Sequence, residues 1–208
     1  MSNDLILIYG SNLDGMPTYT FKVDLLNSEP LVTRTIKVSS ETTLYLMHHI
    51  IQAVMGWKNY HLYEFSINNL LFADIRLVDE EFGDFTDVKT IQLEDVFSKT
   101  GTKAIYLYDF GDGWKHQLEI IEISNEPQNE LLPAFISGQN ACPPEDCGGV
   151  YRYREVIEIL GDPSHEEYES TKEWLGPKFN PVKLNSHSIT KELGNLGPKI
   201  KIYERGFN

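Results

Sequence analysis

Two stretches hold most of the side chains able to bind or react. Tyr106-Leu107-Tyr108-Asp109-Phe110-Gly111-Asp112-Gly113-Trp114-Lys115-His116 carries two carboxylates and an imidazole among aromatic rings. Ala141-Cys142-Pro143-Pro144-Glu145-Asp146-Cys147-Gly148-Gly149 adds two more acids and the only cysteines of the chain. Asp109, Asp112, His116, Glu145 and Asp146 are the candidates for acid–base work, because carboxylates and imidazoles move protons once within hydrogen-bond reach of a substrate. No metal or other cofactor is predicted. Were a divalent ion bound here, His116, Cys142 and Cys147 are the candidate ligands. Mixed acid, imidazole and thiolate donors suit zinc or another transition ion, and acids alone suit magnesium. The gap between Cys142 and Cys147 is wider than that of zinc knuckles and redox pairs. Tyr108, Trp114, Pro143, Pro144 and Tyr153 are the candidate binding residues, since rings on rigid elements make contacts at low entropic cost.

The first stretch reads as a β-hairpin. Ile105 and Leu107 alternate with Tyr106 and Tyr108, and beyond the turn Trp114, His116, Leu118 and Ile120 share one face. Asp112-Gly113 supplies the positive φ that a tight turn needs. The second stretch is a stiff loop, because consecutive prolines fix two φ angles and remove two donors. It releases into a helix over Val150–Leu160, with an apolar stripe at Tyr153, Val156, Ile157 and Leu160 and a stop at Gly161. Asp146, just before that helix, is placed for a favourable dipole contact. The acids have a non-chemical use as well: the two motifs can lock hairpin to loop, with Trp114 packed on the prolines and the carboxylates on backbone amides or on Arg152 and Arg154.

Around these motifs the pattern predicts a single α+β domain over residues 1–208. Its sheet is antiparallel or mixed, with a β-grasp-like opening of hairpin, helix and strand, a central β-hairpin and C-terminal helices. Leu5 to Tyr9 reads as a short strand. Tyr19–Leu25 and Val32–Val38 alternate as a hairpin pair. Ser39-Ser40-Glu41 signals a helix start, and Leu44, Met47, Ile51, Val54 and Met55 form its apolar stripe, ending at Gly56. His48 and His49 read as surface or edge residues of this helix. His61–Ile67 is the next strand. The acidic run 74–90 reads as a solvated excursion, and 124–140 as a connection with little periodicity. Asp162-Pro163 signals a helix over Ser164–Leu175, with Trp174 as a core anchor. Lys199–Tyr203 reads as an exposed final strand.

Three ordered motifs, YLYDFGDGWKHQLEI, ACPPEDCGGVYRYREV and GDPSHEEYESTKEWLGPKFNP, together resemble the plasmid pRiA4b ORF-3-like family of bacterial and archaeal plasmids, mobile elements and chromosomes. The resemblance runs from about Tyr19 to Leu193. It implies a mobile-element association, since members are sometimes labelled resolvase-like transposon passengers, but no particular reaction. Members often carry a cysteine shortly before the ACPPED motif, where this chain reads Pro133-Ala134-Phe135-Ile136-Ser137-Gly138. Arg152 and Asn180-Pro181 also depart from the family pattern of glycine and Asp-Pro.

The net charge of −13 over 208 residues argues against nucleic acid, whose phosphates call for a basic face, and against anionic membranes. Residues that are 41% hydrophobic and 12% aromatic build a globular core. No apolar run spans a bilayer, and the N-terminus lacks a signal-peptide pattern, which predicts a cytoplasmic protein. No P-loop, dinucleotide fingerprint, GxSxG or HExxH occurs. The reading that follows is a non-enzymatic binding or interaction module with a rigid acidic and aromatic site in residues 105–154, facing a protein or small-molecule ligand. The alternative is a metal-dependent enzyme using the same Asp, His, Cys and Glu side chains.

Overall fold

The computed structural model describes residues 16–79, 83–127 and 130–207; the strand expected over Leu5 to Tyr9 lies outside them. Eight strands form one mixed sheet in the order β5-β4-β3-β6-β7-β1-β2-β8, so the chain is α+β. β1 (Thr18–Leu25) and β2 (Thr33–Ser39) make the opening hairpin, β3 (Tyr63–Ile67) and β4 (Leu70–Ala73) a second, and β6 (Lys103–Tyr108) and β7 (Trp114–Ser124) the central one. The hairpin, helix, strand order of the opening is present. However, β6 and β7 lie between β3 and β1, and β1 pairs antiparallel with β7.

β5 (Phe85–Asp87) runs parallel to β4, and β8 (Ala134–Gln139) forms the far edge on β2. Both correct the expectation of irregular chain. Neither strand has one buried and one exposed face, so neither alternates. Asp74, within the supposedly solvated acidic run, is buried and holds Arg76 at 2.5 Å.

The helix α1 (Leu44–Met55) is buried along its whole length. It lies between the sheet and a second layer made by α5 (Ser186–Gly194) and α6 (Leu196–Glu204). The expected surface positions of His48 and His49 are corrected: His48, 0% exposed, faces the sheet, and His49, 6% exposed, lies under α6. An apolar stripe reports only one covered face, and here both are covered. His48 is satisfied by Tyr106 Oη at 2.7 Å on Nδ1 and Asn59 Oδ1 at 2.6 Å on Nε2, and it stacks on Tyr63 at 3.5 Å. Burial holds its pKa well below the ordinary value, so the ring is neutral. The α1 cap is Thr43, whose Oγ1 accepts from Leu46 N, because β2 carries the chain straight through Ser39.

Arg34, 2% exposed, ties three elements together without a carboxylate. Its guanidinium donates to the carbonyls of Val54 at 2.8 Å, Thr33 at 2.7 Å and Gln139 at 2.8 Å. Val54 lies in the last turn of α1, where the helix dipole favours a cation. A Cβ on Gly138 would sit 2.7 Å from Thr33 O and 3.1 Å from Arg34 Cδ, so β8 can close over the arginine only with glycine there.

The remaining helices are α2 (Leu93–Val96), α3 (Gly149–Gly161) and α4 (Tyr168–Leu175). α4 starts later than expected. Asp162 ends α3 and folds its carboxylate onto Ser164 N and Oγ instead of capping a new helix. Trp174 is 52% exposed and anchors no core. The expected final strand is helical, within α6: the apolar Ile200 is buried against α1 while the lysines beside it stay exposed, which fits one covered helix face as well as an alternating strand.

Candidate functional site

The two motifs meet. Asp112, in the turn between β6 and β7, accepts the Gly148 amide on Oδ2 at 3.0 Å. Gly149 sits at φ +78, and a Cβ there would lie 2.5 Å from the Asp112 carbonyl oxygen. Tyr108 Oη donates to Glu145 Oε1 at 2.6 Å. Gly148 is the N-cap of α3, so the acid at the helix N-terminus is Asp112 from the other motif and not the neighbouring Asp146.

A third segment, Trp57 to His61, is clamped between the two motifs. Trp57 Nε1 donates to Pro143 O at 2.9 Å, Lys58 N to Glu145 Oε2 at 2.9 Å, and Tyr60 N to Tyr108 Oη at 3.0 Å. Trp57 stacks on Tyr108 at 5.1 Å and leans on Trp114 at 5.7 Å. The prolines are therefore met by Trp57. Trp114 is fully buried, as are Tyr108 and Tyr153; Pro143 is buried and Pro144 half-buried. These rings build the corner and do not face solvent. Arg152 pairs with Glu155 and Glu167, and Arg154 with Glu29, so the expected arginine contacts to the motif acids do not form.

Most of the candidate acid–base groups are committed to this lock. Glu145 uses both oxygens and Asp112 uses one. Asp109 stands at φ +57 and accepts Gly111 N at 2.9 Å and Asp112 N at 3.2 Å, both on Oδ1. Burial and the Glu145 carboxylate push the Tyr108 phenol up. His116 does not join the acids. It is 0% exposed, edge-on to Trp57 at 5.2 Å, with Nδ1 3.4 Å from Tyr106 O, and burial lowers its pKa to about 4. Both cysteines are free thiols. Burial pushes Cys147 up to about 12 and Cys142 higher still, which suppresses the nucleophilic thiolate.

The imidazole that does meet the acids is His61. Its Nε2 lies 3.1 Å from Asp146 Oδ1 and 3.6 Å from Asp109 Oδ2. Among the described residues this is the grouping whose donor atoms converge as metal ligands can, all within 4.8 Å of one another; His116, Cys142 and Cys147 are not part of it.

The profile of the plasmid pRiA4b ORF-3-like proteins matches residues 17–188. The chain belongs to that family. It is 38% identical over 181 residues to the uncharacterized protein y4hQ of Sinorhizobium fredii, covering 86% of this chain and 91% of that one. It is also similar to the crystal structure of MM3350 from Methanosarcina mazei Go1, a protein of unknown function. The TM-score is 0.73 at 34% identity, over 82% of this chain and 96% of that one.

In this pRiA4b ORF-3-like protein, sequence reasoning missed Trp57 and His61. Their role depends on β3 lying beside β6, where Asp109 N donates to Leu62 O at 2.9 Å and Tyr63 pairs with Tyr108. A pairing between strands forty residues apart leaves no local signal. Among the described residues no helix is long and apolar enough to cross a membrane.

Proposed function

We propose that this protein is a binding module, and that it takes a small molecule with an apolar body and an acidic group between α1 and α6. The observation that carries the reading is a pocket of about 370 Å³ there. Ala53, Trp57, Leu196 and Ile202 line it, and the charged residues lining it, Lys58 and Lys199, are both cationic in a protein of net charge −13. Small-ligand sites are mostly apolar clefts of roughly this size with a few placed polar groups. His49 also lines the pocket. Burial lowers its pKa to about 3, so it presents a neutral ring.

The motif corner has a definite part in this reading. Pro143, Glu145 and Tyr108 hold the backbone and ring of Trp57–Tyr60, one wall of the pocket. Glu145 and Asp112 are engaged by amides and a phenol, and burial raises both thiol pKa values, which argues against acid–base or nucleophilic work by those groups. The test is titration with aromatic and medium-chain carboxylates, followed by calorimetry and thermal shift. Saturable one-to-one binding that weakens in Ile202→Trp and Lys58→Glu is expected. Absence of saturable binding to any apolar acid, or binding indifferent to both substitutions, would overturn the reading.

A further inference from the structure

We propose that His61, Asp109 and Asp146 form a site for a first-row divalent transition ion of the zinc class. The proposal does not depend on the pocket between α1 and α6. Three observations lead to it. The first is distance. Donors about 2.1 Å from a metal lie about 3.0–3.4 Å apart for octahedral or tetrahedral angles. His61 Nε2 stands 3.1 Å from Asp146 Oδ1, inside that range, and 3.6 Å from Asp109 Oδ2, just beyond it, with all three donors within 4.8 Å of one another.

The second is the state of the ring. His61 Nε2 is out of contact with solvent and hydrogen-bonds to nothing among the described residues, although two carboxylates flank it. A buried ring nitrogen that lies within 3.6 Å of two carboxylate oxygens and hydrogen-bonds to neither is an arrangement that a cation bound among the three completes.

The third is preorganisation. Each ligand sits beside an anchored residue: His61 between Tyr60, tied to Tyr108, and Leu62, tied to Asp109 N; Asp146 between Glu145, tied to Lys58 and Tyr108, and the buried Cys147. Asp109 Oδ1 is held by two turn amides while Oδ2 faces His61. With the backbone of all three ligands and the Asp109 carboxylate held, ion binding spends less ordering entropy, chiefly that of the exposed Asp146 side chain.

One imidazole with two carboxylates selects among ions. Magnesium and calcium prefer all-oxygen sets, and soft copper(I) prefers thiolates, which leaves zinc, cobalt, manganese and their neighbours. Three protein donors also leave coordination positions open, and the Asp146 side chain, 69% exposed, puts the open side toward solvent.

The experiment uses the full chain stripped with chelator and dialysed, then titrated with Co²⁺, Zn²⁺, Mg²⁺ and Ca²⁺. One equivalent of Co²⁺ is expected to bind with visible d–d bands, be displaced by Zn²⁺, and raise the melting temperature, while Mg²⁺ does none of this. His61→Gln and Asp146→Asn, both at accessible side chains, should weaken Co²⁺ by more than the roughly 10–100-fold of an outer-shell change. The control His187→Ala, an exposed histidine elsewhere, should leave binding unchanged. Non-stoichiometric binding, affinity unmoved by His61→Gln and Asp146→Asn, or a near-ultraviolet thiolate-to-cobalt band would overturn the assignment. Carboxylate binding in the pocket is read separately by calorimetry on the chelator-stripped protein, so either reading can fail alone.

Discussion

Gly149→Ala puts a methyl carbon 2.5 Å from the Asp112 carbonyl oxygen, closer than non-bonded atoms of that kind approach. The obstacle is backbone, so it cannot swing aside, and the hairpin turn or the start of α3 must move. Two costs combine. An L-residue at φ +78 loses about 1–2 kcal/mol to the left-handed backbone. Forcing the extra carbon into a packed contact adds about 1–3 kcal/mol. A total of about 3 kcal/mol in a chain of this size lowers the melting temperature by about 6–12 °C. Gly56→Ala is the matched control, with φ +85 but nothing within 4 Å of the added carbon. It should show the backbone cost alone, about 2–8 °C, and less than Gly149→Ala in the same assay. The assay is thermal and urea unfolding of both variants beside the parent. Equal losses in the two would mean that the turn and the loop do not touch as described, and the lock would be refuted.

Other outcomes follow from the buried groups. His116 is neutral inside, with its pKa lowered to about 4 from an ordinary 6.5 by burial. Its contribution is therefore complete above about pH 6.5 and is lost as pH falls toward and through about 4, and linkage gives a loss of about 2 kcal/mol between about pH 7 and pH 5. Urea midpoints of His116→Gln should lack that part of the acid slope; an unchanged slope would show that His116 is not the titrating group. Arg34→Met leaves the Thr33, Val54 and Gln139 carbonyls without their guanidinium and should cost about 3 kcal/mol. A cost under about 0.5 kcal/mol in urea unfolding would show those bonds to be dispensable.

Period and punctuation made several elements readable before any coordinates. The alternation in Tyr19–Leu25 and Ile105–Ile120 gave strands where strands form, and Gly56 closes its helix as expected, while the next one runs through Gly161 to a cap at Asp162. What local pattern could not report was coverage by distant chain. His49 is hidden because α6 packs on a helix face that the sequence leaves mixed, and His48 because the tyrosines of β3 and β6 cover it. Trp174 is exposed because nothing returns to cover it. At the site, the type of chemistry was legible in Asp109 and Asp146, but its imidazole was not. His116 lies next to the motif acids in sequence yet points into the aromatic core, while His61 reaches them through the β3–β6 pairing. Strand β8 escaped notice because an edge strand crossing a buried arginine through Gly138 has no two-face alternation to show.

The account rests on the corner being one mechanical unit, and a double-mutant cycle of Tyr108→Phe and Glu145→Gln measures that directly. The 2.6 Å bond from phenol to carboxylate should appear as a coupling of about 1–2 kcal/mol in urea unfolding. Single losses that simply add, to within about 0.3 kcal/mol, would mean that hairpin and loop stand side by side without holding each other, and would contradict it.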